Sequence, residues 1–99
     1  DSNILSFQAN DELLIHSENV SITNITFSID SQLMATSCNE GTIKIWKIYG
    51  GKNSITFNKC HNGAITNLAF NKDGTQILSA SIDKTIKIHG LKSKRILKQ

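Results

Sequence analysis

Three groups of side chains in this 99-residue sequence are of types that could do chemistry. Ser79, His61 and Asp83 are the nucleophile, base and orienting acid that a hydrolytic triad requires. Cys38, Cys60, His61 and His89 are metal-ligating types. Lys84, Lys87, Lys92, Lys94, Arg95 and Lys98 make a basic end that a phosphate backbone could neutralise. The surroundings speak against each. No strand-to-helix nucleophile elbow and no glycine-rich phosphate loop accompanies the serine. Structural zinc pairs its ligands at short spacing, whereas the two cysteines stand 22 residues apart and read as small packing residues. Only Trp46 and Tyr49 could interleave with bases, and neither lies in the basic cluster, so direct RNA contact is a weaker alternative. The expectation is therefore no catalytic residue, no cofactor and no metal site, and no small-molecule substrate.

Composition narrows the class further. Hydrophobic residues make 38 %, charged residues 19 %, and proline is absent, which fits a folded domain rather than a disordered or collagen-like chain. No apolar run nears the roughly 20 residues of a membrane-spanning helix, so no membrane role is expected. Two cysteines are too few for a disulfide scaffold and suit a reducing compartment. The two Asn-x-Ser/Thr triplets, at Asn19 and Asn24, read as accidental. The net charge of +3 hides an asymmetry: residues 1–43 carry six acids and no Lys or Arg, and all eleven bases follow. Solvated strand edges account for most of such a pattern, because edge lysines discourage aggregation.

The elements that must position these side chains come from an internal repeat. Residues 22–48 align with 65–91 at a shift of 43, without a gap, and nine of 27 pairs are identical. Chance would give about one or two, so the repeat is real. Each copy reads as short strands between turns: Ser21–Phe27, Leu33–Ser37, Thr42–Ile48 and Ser54–Phe57 in the first, and Ala64–Phe70, Gln76–Ser81, Thr85–His89 and Arg95–Leu97 in the second. Ser28–Ser31 and Asn71–Gly74 have turn chemistry, as do Asn39–Gly41 and Asp83–Lys84. Ile4–Phe7 reads as the last strand of a preceding unit. Phe27 and Phe70, ending the first strands, are expected in the core. No segment has a sustained 3.6-residue apolar period, so no helix is expected.

Four antiparallel strands every ~40–45 residues form a β-propeller blade. The fold expected is thus all-β, about two four-stranded antiparallel blades of a larger β-propeller. Residues 1–18 make a last strand and connection, 19–58 one blade and 61–99 the next. Two blades cannot close a ring, and an open pair leaves two apolar blade faces uncovered, which predicts self-association.

The strings ATSCNEGTIKIWKI (35–48) and CHNGAITNLAFNKDGTQILSASIDKTIKIHGLKS (60–93) resemble the WD40 repeat family. That resemblance implies a hydrogen-bonded tetrad in each blade: a His before the first strand, a Ser or Thr on the second, an Asp in the next turn and a Trp on the third. The second blade matches with His61, Ser79 and Asp83, but His89 stands where the Trp belongs. The first matches with Thr36 and Trp46, while Glu40 replaces the Asp and Glu18 the His. Protein contacts in the family implicate positions that here are Asn19, Ser21 and Asn39 in the first blade, and Asn62, Ala64 and Ile82 in the second. Ile82 is read either as an exposed anchor or as packing on a neighbouring blade.

A narrower resemblance exists. ILSASIDKTIKIHGLKS (77–93), with its His and its Gly-Leu-Lys-Ser ending, is similar to a blade of the "suppressor of mec and unc" family of WD-repeat splicing factors. It implies a non-enzymatic nuclear scaffold in spliceosome assembly and activation, with RED-type and other spliceosomal proteins as partners. The alternative is a WD40 adaptor or substrate receptor outside splicing, for instance in ubiquitin ligation.

Overall fold

A computed structural model describes residues 20–48, 53–93 and 95–98. The expected Ile4–Phe7 strand and residues Glu18 and Asn19 lie outside them. Eight strands follow one another: β1 (Ile22–Phe27), β2 (Leu33–Cys38), β3 (Ile43–Lys47), β4 (Asn53–Phe57), β5 (Ile65–Phe70), β6 (Gln76–Ser81), β7 (Ile86–Gly90) and β8 (Arg95–Lys98). They form two separate antiparallel sheets, β1-β2-β3-β4 and β5-β6-β7-β8, each strand pairing with the next. No helix occurs among the described residues.

The turns explain this meander. In the first, the Asp30 carboxylate accepts from the Ser28 hydroxyl at 2.7 Å and the Gln32 amide at 3.0 Å. These bonds, the Ser28 hydroxyl foremost, hold the Asp30 carboxyl below its ordinary range. In the second sheet Asn71 does the same work, its side-chain oxygen accepting from the amides of Thr75 and Gln76. The β2–β3 turn needs a left-handed residue, and Gly41 supplies it at φ 86°. Lys84 adopts φ 74° at the same place in the β6–β7 turn. The two turns agree bond for bond: Gly41 N–H donates to Cys38 O as Lys84 N–H does to Ser81 O. A register irregularity recurs too, between Ile22 and Asn24 and between Ile65 and Asn67.

Side chains alternate along each strand, so each sheet has two faces. Ala35, Ile43, Ile45 and Phe57 of the first sheet meet Ile65, Ile77 and Leu91 of the second in one core, with Leu68 and Phe70 partly buried against it. The opposite faces are exposed in part: on the first sheet Met34 and Thr36, which share a face with Phe27 and Ile25, are fully buried, yet side chains of the outer strand are not. On the first sheet Ile25 and Phe27 are 54 % and 52 % exposed, and on the second Leu78 and Ile86 are 44 % and 60 % exposed. The expectation that Phe27 belongs to a core is corrected here. Its repeat equivalent Phe70 is packed between the sheets, while Phe27 lies on the outward face with no sheet against it among the described residues.

Candidate functional site

Where the second sheet meets the loop leading into it, four polar side chains form one chain of contacts. His61 precedes β5, Ser79 lies on β6, Asp83 in the β6–β7 turn and His89 on β7. His61 Nδ1 is 3.1 Å from an Asp83 carboxylate oxygen, and His61 Nε2 is 2.7 Å from Ser79 Oγ. Ser79 Oγ is in turn 2.8 Å from His89 Nε2. Ser79 and His89 are wholly buried, and His61 nearly so. Asp83 also accepts from the Asn62 amide at 2.9 Å, the Thr85 amide at 2.9 Å and the Thr85 hydroxyl. The Thr85 bond, above all, pushes the Asp83 carboxyl far below the usual carboxylate range, so the group is ionised.

That ionised group orients everything behind it, because a carboxylate can only accept. With the imidazoles neutral, His61 donates from Nδ1 to Asp83, leaving Nε2 to accept the Ser79 hydroxyl proton. Ser79 oxygen then accepts from His89 Nε2–H, and His89 Nδ1 is left a bare lone pair. Consistently, His89 Nδ1 is the buried side-chain polar atom that lacks a hydrogen-bond partner among the described residues. Burial first, then the neighbouring His61 and Lys87, lower His89 to about 4, so it is neutral at physiological pH.

The connectivity Asp83–His61–Ser79 is that of a hydrolytic triad, yet its geometry points inward. Ser79 has no exposed surface, and its hydroxyl is engaged by two imidazoles. A substrate carbonyl could not reach it. What the chain does is tie loop, turn and two strands together, since each buried polar group left unpaired would cost ~1–3 kcal/mol. In the first sheet, among the described residues, Trp46 Nε1–H donates to Thr36 Oγ1 at 3.2 Å. Glu40 is exposed and joins no such chain among the described residues.

The metal-ligating side chains part company. Cys38 is buried on β2, whereas Cys60 comes close to the two histidines. One ligand atom each from Cys60, His61 and His89 lie within 4.8 Å of one another. Sequence spacing could not reveal that grouping, because loop and strand meet only in the folded sheet. The Cys60 thiol donates to Gly41 O at 3.3 Å, and burial raises it to about 11. Lys87 Nζ donates to the Cys60 carbonyl.

Of the residues expected to meet a partner, Ser21 and Asn39 bind each other: Ser21 N–H donates to Asn39 Oδ1 at 3.0 Å, and Asn39 N–H to Ser21 O at 2.9 Å. Ala64 O accepts from Ile82 N–H at 3.0 Å, and exposed Asn62 sits on Asp83. Ile82 is 65 % exposed, lying over Gly63, where an added Cβ would come within 2.8 Å of Ile82 Cγ1. Of the six bases of 84–99, Lys84 and Lys92 are exposed and Lys87 is half-buried, while the side chains of Lys94, Arg95 and Lys98 lie outside the described residues.

Two consecutive four-stranded meanders packed face to face, with a polar chain tying turn to strand, define a pair of β-propeller blades. The chain belongs to the WD40 family: the model of the WD domain, G-beta repeat, matches residues 6–47 and 51–89. It is 41 % identical over 63 residues to periodic tryptophan protein 2 of Arabidopsis thaliana, covering 64 % of this chain and 7 % of that protein. It is 40 % identical over 75 residues to human WD repeat and SOCS box-containing protein 1, covering 75 % of this chain and 18 % of that one. The C-terminal WD40 domain of Sif2 has the same fold at a TM-score of 0.74 and 22 % identity, covering 82 % of this chain and 22 % of that domain. The chain thus spans less than a fifth of the length of the curated relatives it matches.

Proposed function

We propose that this blade pair is part of a non-enzymatic platform for protein–protein contacts, and that Ile82 is its anchor. The observation that carries the reading is a large apolar side chain held 65 % exposed at the tip of a rigid turn. The Asp83–His61 bond and the Ile82–Ala64 bond fix that turn from both sides. An apolar residue on a fixed support loses little conformational freedom on binding, which is what an anchor requires. Asn62 and Ala64 flank it, with Ser21, Asn39 and Asn19 as the corresponding positions of the first blade.

The platform's role in this reading is spliceosome assembly in the nucleus, with RED-type and other spliceosomal proteins as partners. Support comes from the similarity of residues 77–93 to the splicing family. A second support is the 30 % identity over 73 residues to mouse pre-mRNA-processing factor 17, covering 74 % of this chain and 12 % of that protein. One observation favours a second reading, a ubiquitin-ligase adaptor: the match to a relative whose name includes a SOCS box. Affinity purification of the complete protein from nuclear extract after nuclease treatment, followed by mass spectrometry, separates the two. Spliceosomal proteins recovered with the native protein and depleted with Ile82→Asp support the proposal. Cullin-type ligase subunits in their place would establish the second reading. Recovery unchanged by Ile82→Asp would remove Ile82 from the interface.

A further inference from the structure

The loop that carries His61 continues into a dipeptide with a chemistry of its own. Asn62 is followed by Gly63, and no other asparagine of the sequence precedes a glycine. Asn62 is exposed and lies in a bend before β5, outside any strand. The backbone is held on either side: Asn62 N–H donates to Asp83 Oδ2 at 2.9 Å, and Gly63 O accepts from the Ser81 hydroxyl at 3.2 Å. Between those two points, the Asn62 carboxamide and the Gly63 N–H have no hydrogen-bond partner among the described residues. Asparagines of the other turns are tied. Asn39 Oδ1 accepts from Ser21 N–H, Asn58 Oδ1 from the Thr42 hydroxyl, and Asn71 Oδ1 from the amides of Thr75 and Gln76. A free carboxamide next to an unhindered, unbonded amide nitrogen is the arrangement in which a side chain reacts with its own backbone.

We propose that Asn62 is a deamidation site, converted without an enzyme to isoaspartate and aspartate in the loop beneath Ile82. The Gly63 nitrogen, its proton taken by hydroxide, attacks Asn62 Cγ. A cyclic imide closes as the Cγ–Nδ2 bond breaks, and the amine leaves as ammonia with a proton from water. Glycine matters because no Cβ shields the attacking nitrogen. Water then opens the imide at either carbonyl. Opening at Cγ gives aspartate, whereas opening at the former main-chain carbonyl gives isoaspartate, whose main chain runs through the side-chain carbon. In sum water is consumed and ammonia released, with no change of oxidation state. Either product sets a new carboxylate beside the ionised Asp83, to which the Asn62 amide is bonded. Isoaspartate also lengthens the backbone where Gly63 packs so closely that an added Cβ would come within 2.8 Å of Ile82 Cγ1.

The test incubates the complete folded protein in mildly alkaline buffer and follows the tryptic fragment 60–72, released by cleavage after Lys59 and Lys72, by mass spectrometry. Isoaspartate is counted with an isoaspartyl carboxyl methyltransferase and labelled S-adenosylmethionine. Asn67 and Asn71 of the same fragment are internal controls. Asn62 is expected to be lost about tenfold or more faster than either, with isoaspartate the larger product and the loss slowing in mildly acidic buffer. Asn62→Gln, which keeps the backbone N–H to Asp83, should abolish methyl acceptance by this fragment. A folded protein that keeps Asn62 intact while the same chain in denaturant loses it overturns the proposal, because the fold would then hold the reacting atoms apart. So does loss at Asn62 no faster than at Asn67, or methyl acceptance undiminished in Asn62→Gln.

Discussion

Ser79 is tightly constrained, because one hydroxyl serves two buried imidazoles at 2.7 and 2.8 Å. Ser79→Ala strands both and is expected to cost about 2 kcal/mol or more. Ser79→Thr, the residue that the first blade carries as Thr36, keeps the hydroxyl and should cost much less. Chemical denaturation of the complete protein measures both, and equal losses would show that packing alone sets the position. His89 adds a pH signature. Its folded value of about 4 lies below the ordinary 6.5, so between those values the unfolded chain takes up a proton that the folded chain refuses. Its contribution is whole above pH 6.5 and is lost as pH falls toward 4, up to about 3 kcal/mol. Asp83 moves the same way only in stronger acid, since its carboxyl is depressed below the usual range. The melting temperature should therefore fall between pH 6.5 and 4.5 less steeply in His89→Gln than in the native protein. Parallel curves would sink this account.

At the scale of elements, Gly41 of the first blade meets the loop leading into β5, where His61 N–H donates to Gly41 O at 3.3 Å. A Cβ on Gly41 would lie 2.2 Å from the His61 carbonyl oxygen, and its φ of 86° disfavours any side chain. Gly41→Ala is expected to destabilise by about 2 kcal/mol or more, through both the clash and the backbone. Its repeat equivalent Lys84 shares the left-handed conformation but carries a side chain already. Lys84→Gly should thus leave stability within about 1 kcal/mol or raise it, by relieving left-handed strain. Thermal melts of the two variants decide the matter, and a harmless Gly41→Ala would mean that the contact yields.

The described elements were legible in the residues, with ends shifted by at most one position, because turn residues and period-two alternation are local signals. Asp30 and Asn71 make the turn bonds their types imply. Two features were not legible. The half-exposed state of Phe27 depends on what packs against its sheet, and a pattern of apolar residues cannot report that. The meeting of Cys60 with His89 depends on how a loop closes over a strand 29 residues later, which spacing along the chain does not encode.

For the whole molecule, the repeat itself says what the uncovered faces are for. Leu78, Ile86 and Ile88 occupy in the second blade the places of Ala35, Ile43 and Ile45, which in the first are buried under Ile65, Ile77 and Leu91. Ile25 and Phe27 likewise hold the places of Leu68 and Phe70, which are packed on the core. The exposed face of the second sheet is therefore half of an interface already seen between the two blades, and the exposed Ile25 and Phe27 belong to the complementary half. Head-to-tail contact of that kind buries the exposed side chains without a new geometry, and it continues until a ring closes. The 99 residues produced alone should consequently sediment as species heavier than 10.9 kDa, with the fraction rising with concentration. Replacing Leu78 and Ile86 by lysine removes one half of the contact and should shift the distribution toward monomer, while Lys72→Glu, an exposed site at the β5–β6 turn, should not. Analytical ultracentrifugation reads the result directly. A monomer at every concentration would mean that apolar faces of this size remain in water unaided, and the complementarity argument would fail with it.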